Sequence, residues 1–300
     1  MACNMRALAL LASLNLVACR PAGTTPAEAV TGPGRYEQTM TVDGIDRTYI
    51  LVVPRGYSPD KQVPLIVLLH GYSSNANQIT AYSRLGALAD TEGFVLAAPS
   101  GTGRVNGWNC GFVSMGARGV DDVKFIGTLI SKLKGELAID PKRVFVAGHS
   151  NGAMLSYAVG SALSDKVAAI GVVEGSNAID RPMLKRAVPA PQQPVSAIVF
   201  HGRNDRLVPY EPANGRLGLY LGAVGAASHW ARGDGIAGEP RRATIGSAGS
   251  LMTWSGDGVD VELVTVDAGN HMWPGAPGSS GNAIDATNLM LDFFKTHAKR

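Results

Sequence analysis

Apolar residues along this chain fall into short runs separated by turn residues, a pattern typical of strands joined by turns and helices. Residues 36–42 and 47–53 flank Asp43-Gly44 and predict an antiparallel hairpin. The next apolar run, residues 65–69, shows no alternation of polar and apolar positions, which indicates a strand buried on both faces. The hairpin is therefore followed by a strand of a covered sheet.

From that strand onward, predicted strands and helices alternate. The strands are predicted at residues 94–98, 143–147, 167–173, 195–200 and 261–266, and the helices at residues 78–92, 119–137, 151–163 and 284–295, with a further amphipathic stretch at residues 217–230. Repeated strand-helix units predict an α/β fold with a mostly parallel, doubly wound sheet. Residues 101–118 and 233–258 fit neither pattern. Because loops at the carboxyl ends of parallel strands build ligand sites, we assign residues 101–118 to a pocket rim.

Composition supports one large domain and excludes one class of partner. The 300 residues are 45% hydrophobic, which is enough for a single large core. The formal charge of +3 arises from 27 basic and 24 acidic residues that are scattered rather than clustered. We therefore predict no nucleic-acid partner.

The N-terminal residues have the pattern of an export signal. Residues 1–19 contain Arg6, an apolar stretch at residues 7–17 and small residues before Cys19, and the end of this segment resembles a bacterial lipobox. The pattern favours lipidation of Cys19, with simple cleavage and release as the alternative. We predict a secreted protein, held in the cell envelope by this lipid anchor alone, with a flexible tether at residues 20–34 and a catalytic domain at residues 35–300.

Cysteine usage is sparse for an exported protein. Cys3 and Cys19 lie in the predicted signal segment, so Cys110 has no partner for an intramolecular disulfide. The domain is therefore expected to depend on its core and not on disulfides for stability.

Residues 148–152 read Gly-His-Ser-Asn-Gly and lie between a predicted strand and a predicted helix. This context is that of a nucleophile elbow, in which the serine occupies a strained turn and the flanking glycines avoid a collision with the backbone. We predict that Ser150 is the nucleophile of a serine hydrolase with the α/β-hydrolase fold. The alternative interpretation is a Gly-Ser loop without a catalytic role.

A serine hydroxyl needs a base, and the base needs a group that orients it. In the α/β-hydrolase fold these residues follow the nucleophile in the order acid, histidine, each after a later strand. Asp205 follows the predicted strand at residues 195–200, and His271 follows the one at residues 261–266. We predict Asp205 as the acid and His271 as the base, with Glu174 as the alternative acid.

The remaining candidate chemistry concerns the oxyanion and metals. We predict that the backbone N–H groups of Tyr72 and Asn151 form the oxyanion hole, one after an early buried strand and one after the nucleophile. The other histidines lack the spacing of metal ligands, so we predict no metal site and no cofactor.

Several ordered motifs resemble secreted esterases similar to polyhydroxybutyrate depolymerases and to bacterial feruloyl and acetylxylan esterases. The resemblance extends from about Arg35 to the C-terminus. Its motifs are Leu69-His70-Gly71, Asn106-Gly107-Trp108-Asn109-Cys110, Val120-Asp121-Asp122-Val123, Ile139-Asp140-Pro141-Lys142-Arg143-Val144, Gly148-His149-Ser150-Asn151-Gly152-Ala153-Met154, His201-Gly202 with Asp205 and Val208-Pro209-Tyr210, and His271-Met272-Trp273-Pro274-Gly275.

This resemblance implies hydrolysis of small or polymeric carboxylic esters, of polyhydroxyalkanoate, feruloyl or acetyl type, through an acyl-enzyme. It also implies substrate contacts for Trp108 and Trp273, although each indole has the alternative role of core packing. Cys110 occupies a position that is often disulfide-bonded in such relatives. A serine peptidase and a non-catalytic binding protein on the same fold are the alternative functions.

Two acidic residues in these motifs have a structural interpretation. Asp121 and Asp122 precede the predicted helix at residues 119–137, where carboxylates commonly cap free N–H groups. We predict capping for both.

Overall fold

The computed structural model describes residues 30, 32–181, 184–215, 218–280 and 283–300 of the chain. The predicted export signal, Cys19 and most of the predicted tether lie outside these residues. Of the helices within them, none has the length and apolarity needed to cross a membrane.

Strands and helices alternate along most of the described chain. The strands are β1 Gly34–Val42, β2 Ile45–Val53, β3 Val63–Leu69, β4 Val95–Pro99, β5 Ile139–His149, β6 Ala169–Val173, β7 Ala178–Arg181, β8 Leu184–Ala187, β9 Ser196–Gly202, β10 Ala213–Gly215, β11 Gly218–Tyr220, β12 Arg241–Ile245, β13 Gly249–Ser255 and β14 Asp260–Val266. The helices are α1 Ala76–Tyr82, α2 Leu85–Glu92, α3 Asp122–Glu136, α4 Asn151–Ala162, α5 Gly222–Gly233 and α6 Ala286–Thr296.

Ten strands form one large sheet in the order β1-β2-β4-β3-β5-β6-β9-β14-β13-β12. The six strands from β4 to β14 in this order are parallel, and antiparallel strands extend the sheet at both edges. Every residue of β6 and β9 is buried, which explains the apolar sequence of β6 and the apolar run at residues 197–200 of β9. The predicted opening hairpin and the mostly parallel sheet are confirmed, and the architecture is that of the α/β-hydrolase fold.

Helices cover both faces of the sheet, and each face has its own apolar core. On one face α3, α4 and α5 contribute Phe125, Tyr157 and Trp230, all fully or almost fully buried. On the other face α1 and α6 contribute Ile79 and Phe294. The sheet is therefore doubly wound, as predicted.

Two segments differ from the prediction for local reasons. The predicted helix at residues 78–92 is divided into α1 and α2, because Arg84 adopts a left-handed conformation with φ +62°. The unassigned residues 233–258 contain β12 and β13, which extend one edge of the sheet. β12 is mostly exposed and carries no apolar alternation that would reveal it.

A second, smaller sheet was not predicted. It joins β7, β8, β10 and β11 in the order β10-β11-β7-β8, with antiparallel pairing throughout. Its strands have three or four residues each, too few to produce a recognisable alternation. This small sheet carries Tyr220, which lies at the cavity described below.

Candidate active site

Ser150 lies in the sharp turn between β5 and α4. Its φ of +54° is one that residues with a side chain rarely adopt. A Cβ on Gly148 would lie 2.4 Å from the Gly152 backbone, and a Cβ on Gly152 would lie 2.3 Å from the Leu69 carbonyl oxygen. Only glycine fits at either position, as the motif predicts. The turn presents the Ser150 hydroxyl at the carboxyl end of β5.

His271 connects Ser150 to Asp205 through two hydrogen bonds. Its Nε2 lies 2.8 Å from Ser150 Oγ, and its Nδ1 lies 2.7 Å from Asp205 Oδ2. The other Asp205 oxygen accepts hydrogen bonds from the backbone N–H groups of Leu207 and Val208 at 2.8 and 2.9 Å. Because Nδ1 donates to this anchored carboxylate, Nε2 is left to accept a proton from Ser150.

Glu174, the alternative acid, lies behind Asp205 and makes no hydrogen bond to His271. It is fully buried, and both of its carboxyl oxygens accept from the Gly202 N–H, at 3.0 and 3.2 Å. His201 Nε2 lies 3.5 Å from a carboxyl oxygen of Glu174 and equally far from one of Asp205. The contact to His271 is therefore made by Asp205.

The two carboxyl groups have opposite pKa shifts. Burial, together with the hydrogen bond and negative charge of Asp205, raises the pKa of Glu174 well above its usual range. Burial also opposes ionisation of Asp205, but hydrogen bonds from His201 and His271 outweigh it and lower the pKa of Asp205. Glu174 is thus a neutral acid beside an Asp205 carboxylate, since two adjacent carboxylates do not both ionise readily.

Glu174, Asp205 and His271 also form a group of potential metal ligands, with one donor atom from each within 4.8 Å of the others. Their arrangement suits a hydrogen-bonded chain better than an ion. The Asp205 and His271 donor atoms are 2.7 Å apart, whereas two ligands of a tetrahedral ion lie about 3.3 Å apart. The Glu174 oxygens already accept from a backbone amide.

The predicted oxyanion donors lie on two segments that meet at Ser150. A Cβ built on Gly71, which precedes Tyr72, would lie 3.5 Å from Ser150 Cβ and 3.1 Å from His149 Nδ1. Asn151 is the first residue of α4, so its N–H has no partner within the helix. The oxyanion role of the Tyr72 and Asn151 N–H groups stays a prediction.

A cavity of about 820 Å³ opens at Ser150 and His271. Tyrosine and other apolar side chains form most of its wall. These are Tyr72, Ile79, Tyr82, Met115, Met154, Leu207, Val208 and Tyr220. Met115 comes from residues 101–118, in agreement with the predicted pocket rim. Tyr72 was predicted at the site through its backbone N–H. The remaining wall residues were not predicted, because their positions in α1, α4, β11 and the loop after β9 carry no local signal of a pocket.

His149, the variable residue of the elbow motif, also lines the cavity. Its ring centroid lies 5.2 Å from that of His271 and 5.8 Å from that of Tyr82. Burial and the neighbouring His271 lower the pKa of His149 to about 3. His149 is therefore neutral at physiological pH and serves as a wall beside the proposed base.

Trp108 and Trp273 do not lie at the cavity, where they could contact a substrate. Both indoles are fully buried, and neither lines the cavity at Ser150. The Trp273 indole N–H donates to Thr287 Oγ1 at 2.9 Å, and that of Trp108 donates to the His70 carbonyl at 2.8 Å. The alternative of core packing describes both side chains better than substrate contact does.

Three further outcomes concern Cys110, Asp121 and Asp122. Cys110 is a buried free thiol, and its sulfur accepts a hydrogen bond from Asn151 Nδ2 at 3.5 Å. Asp121 caps α3 by accepting from the Lys124 N–H, as predicted. For Asp122 the prediction of capping is wrong: its buried carboxylate pairs with Arg47 at 2.7 Å, a contact between distant parts of the chain.

Comparison with known proteins shows that this chain is similar to esterases. The family model described as esterase PHB depolymerase matches residues 47–181, a range that contains Ser150 but ends before Asp205. Feruloyl esterase B of Piromyces equi is 28% identical over 232 residues, which are 75% of this chain and 42% of that protein. The chain therefore spans less than half the length of this relative. Feruloyl esterase C of Emericella nidulans is 27% identical over 284 residues, 90% of this chain and 93% of that protein.

Solved structures support the fold. An acetyl xylan esterase from Aspergillus awamori superimposes with a TM-score of 0.65 over 87% of this chain and 99% of that one, at 14% identity. At this identity the likeness concerns the fold alone.

Proposed function

We propose that this chain, which resembles the esterase PHB depolymerase family over residues 47–181, is a carboxylic ester hydrolase that acts through an acyl-enzyme on Ser150. The observation that carries the proposal is the continuous chain of hydrogen bonds from Ser150 through His271 to Asp205 at the base of a cavity. A nucleophile, a base and an orienting acid in this order are what acyl transfer requires.

In the proposed mechanism, His271 Nε2 accepts the hydroxyl proton while Ser150 Oγ attacks the ester carbonyl carbon. The N–H groups of Tyr72 and Asn151 stabilise the oxyanion. His271 then donates the proton to the departing alcohol, and an acyl-Ser150 ester remains. Water attacks this ester with His271 as base, the acid product leaves, and Ser150 regains its proton. Asp205 stabilises the imidazolium in both halves of the reaction.

The cavity supports a preference for esters with flat or apolar acyl groups. Tyr72, Tyr82 and Tyr220 offer ring surfaces, and Met115 and Met154 offer adaptable apolar surface. Two relatives are feruloyl esterases, and ferulate is a flat aromatic acid. We therefore propose feruloyl-type esters as substrates, with polyhydroxyalkanoate and acetyl esters as the alternatives.

A substrate panel tests this preference. We expect turnover of methyl ferulate, and a kcat/KM for p-nitrophenyl butyrate up to about 15-fold above that for the acetate, because each buried methylene contributes about 0.8 kcal/mol. Acetylated xylan, poly(3-hydroxybutyrate) and a peptide p-nitroanilide complete the panel. A preference for acetate without ferulate turnover would favour the acetyl alternative, and cleavage of the anilide would favour a peptidase. Inactivity on every ester would favour the non-catalytic binding protein.

We further propose that the protein is exported and held in the cell envelope by lipid on Cys19. The Cys19→Ser variant should move the protein from the membrane fraction to the soluble fraction, because acyl chains would be its only anchor. Mass spectrometry of the mature N-terminus distinguishes the outcomes. An unmodified N-terminus in the wild type would indicate simple cleavage and release instead.

A further inference from the structure

Trp108 contacts both segments that carry the proposed oxyanion donors. Its backbone N–H donates to Asn151 Oδ1 at 2.7 Å, and its carbonyl accepts from Asn151 Nδ2 at 3.2 Å. Its indole N–H donates to the carbonyl of His70 at 2.8 Å. One residue thus binds the first residue of α4 and the residue two positions before Tyr72.

The His70 segment is held at three points. The His70 ring packs against the Trp108 indole with centroids 4.8 Å apart. Its Nε2 accepts from the Gly101 N–H at 2.9 Å, and its Nδ1 lies 2.7 Å from the Gly71 carbonyl oxygen, to which it donates. Burial lowers the pKa of His70 to about 4, in keeping with a neutral ring that accepts at one nitrogen and donates at the other. The turn toward Tyr72 is therefore fixed.

Trp108 is itself anchored to the core. The neighbouring Asn109 N–H donates to Asp122 Oδ2 at 2.8 Å, and Asp122 pairs with the buried Arg47. The Arg47 guanidinium lies 3.8 Å from the centroid of the Phe125 ring, which belongs to α3. The position of Trp108 thus depends on the hairpin strand β2 and on α3, both of which are rigid elements.

We propose that Trp108 is a positioning residue that sets the separation between the Tyr72 and Asn151 N–H groups in the oxyanion hole. The inference deepens the proposed ester hydrolysis and rests on it. A merely space-filling indole would also need a hydrogen-bond acceptor. What distinguishes Trp108 is that its indole binds the His70 carbonyl and its backbone binds the Asn151 side-chain amide, one on each of the two segments that meet at Ser150. Its carbonyl also accepts from the Met115 N–H at 3.1 Å.

Trp230 provides a matched comparison. Its buried indole N–H also donates to a backbone carbonyl at 2.8 Å, that of Val195. Val195 directly precedes β9 and so lies at the amino end of the parallel strands. Ser150 lies at their carboxyl end. Trp108→Phe and Trp230→Phe therefore each remove one buried hydrogen bond and keep an aromatic ring, but only the first change touches the oxyanion segments.

The test compares both variants with the wild type in ester hydrolysis and thermal unfolding. We expect comparable decreases in Tm. Only Trp108→Phe should lower kcat, by about 10- to 100-fold, with KM within about twofold, because displaced donors affect the transition state and not substrate binding.

A second measurement isolates the oxyanion. A trifluoromethyl ketone forms a tetrahedral oxyanion with the nucleophile, so its Ki should rise in Trp108→Phe by the same factor by which kcat/KM falls. The Ki of the free acid product should not change. If Trp108→Phe matches Trp230→Phe in kcat and in ketone affinity, Trp108 is a packing residue only and the proposal is wrong.

An unfolded variant and an inactive wild type have different consequences for the proposal. If Trp108→Phe does not fold, Asn151→Ala tests the other contact of Trp108, since it removes the side chain that binds the Trp108 backbone and keeps the Asn151 backbone N–H. An unchanged kcat in folded Asn151→Ala would likewise overturn the proposal. Absence of ester hydrolysis in the wild type itself would instead overturn the proposed function.

Discussion

Replacement of Ser150 by alanine should lower kcat/KM for ester hydrolysis by about 10⁴-fold or more, because nucleophile, base and acid act as a unit. The fold should persist. Alanine has the same Cβ as serine and adds no strain at φ +54°, and the lost hydroxyl contacts His271 at the edge of an open cavity. Kinetics on the most active ester of the panel, together with circular dichroism, measure both quantities.

A fluorophosphonate probe provides the second measurement for Ser150→Ala. The probe should label the wild type and fail to label the variant. Ser131→Ala is the control, because the Ser131 hydroxyl donates only to the carbonyl of Gly127 within α3. Folded Ser150→Ala protein that keeps near-wild-type turnover would exclude Ser150 as the nucleophile.

Replacement of Asp205 by asparagine should lower kcat by about 10⁴-fold, as the equivalent change does in serine proteases. The amide can donate to His271 Nδ1, which would favour the tautomer with its proton on Nε2 and leave no acceptor for the Ser150 proton. The backbone N–H groups of Leu207 and Val208 can still bind the remaining oxygen. The fold should therefore survive this change.

Glu174→Gln is the matched variant for Asp205→Asn. Glutamine resembles the protonated form of Glu174, can accept from the Gly202 N–H and can donate toward Asp205, so we expect less than a tenfold change in kcat. If Glu174→Gln were the more damaging of the two variants, Glu174 and not Asp205 would be the functional acid. The proposed roles of Ser150 and His271 would be unaffected.

The raised pKa of Glu174 also predicts how stability depends on pH. The folded protein binds the Glu174 proton more tightly than the unfolded chain does. The associated stability is complete below the ordinary glutamate pKa, about 4.3, and is lost as pH rises through the folded-state pKa. The Tm of Glu174→Gln should therefore increase relative to that of the wild type from about pH 5 upward. A constant Tm difference from pH 4 to pH 9 would contradict a protonated Glu174.

Much of the fold could be predicted because burial on both faces leaves a strong sequence signal. β6 and β9 are buried along their whole length, and β6 and residues 197–200 of β9 read as apolar runs. The edge strand β12 lacks this signal because it is mostly exposed, and the strands of the second sheet lack it because they have only three or four residues each. The left-handed residue Arg84 likewise gives no warning that it ends α1.

The site was predictable to the extent that backbone geometry restricts the sequence. The collisions that a Cβ would cause at Gly148 and Gly152 require the glycines by which the elbow was recognised. The contact of Asp205 and His271 follows from strand order. The sequence left open whether Trp108 contacts substrate or packs in the core, because its partner Asn151 lies 43 residues away and only the folded chain brings them together. The residues of the cavity wall could not be predicted for the same reason, because they come from segments that are distant in sequence.

The reacting groups and part of the cavity wall lie on different parts of the fold. Ser150, Asp205 and His271 all follow strands of the ten-stranded sheet, whose core is buried and rigid. Tyr220, by contrast, stands at the end of β11, and Leu207 and Val208 lie on the segment that leads into β10. Side-chain changes in this part of the chain would alter which ester fits the proposed site, while the backbone N–H groups of Leu207 and Val208 still hold Asp205 in place. Such a layout allows substrate range to diverge during evolution, and to be redesigned, without loss of the chemistry.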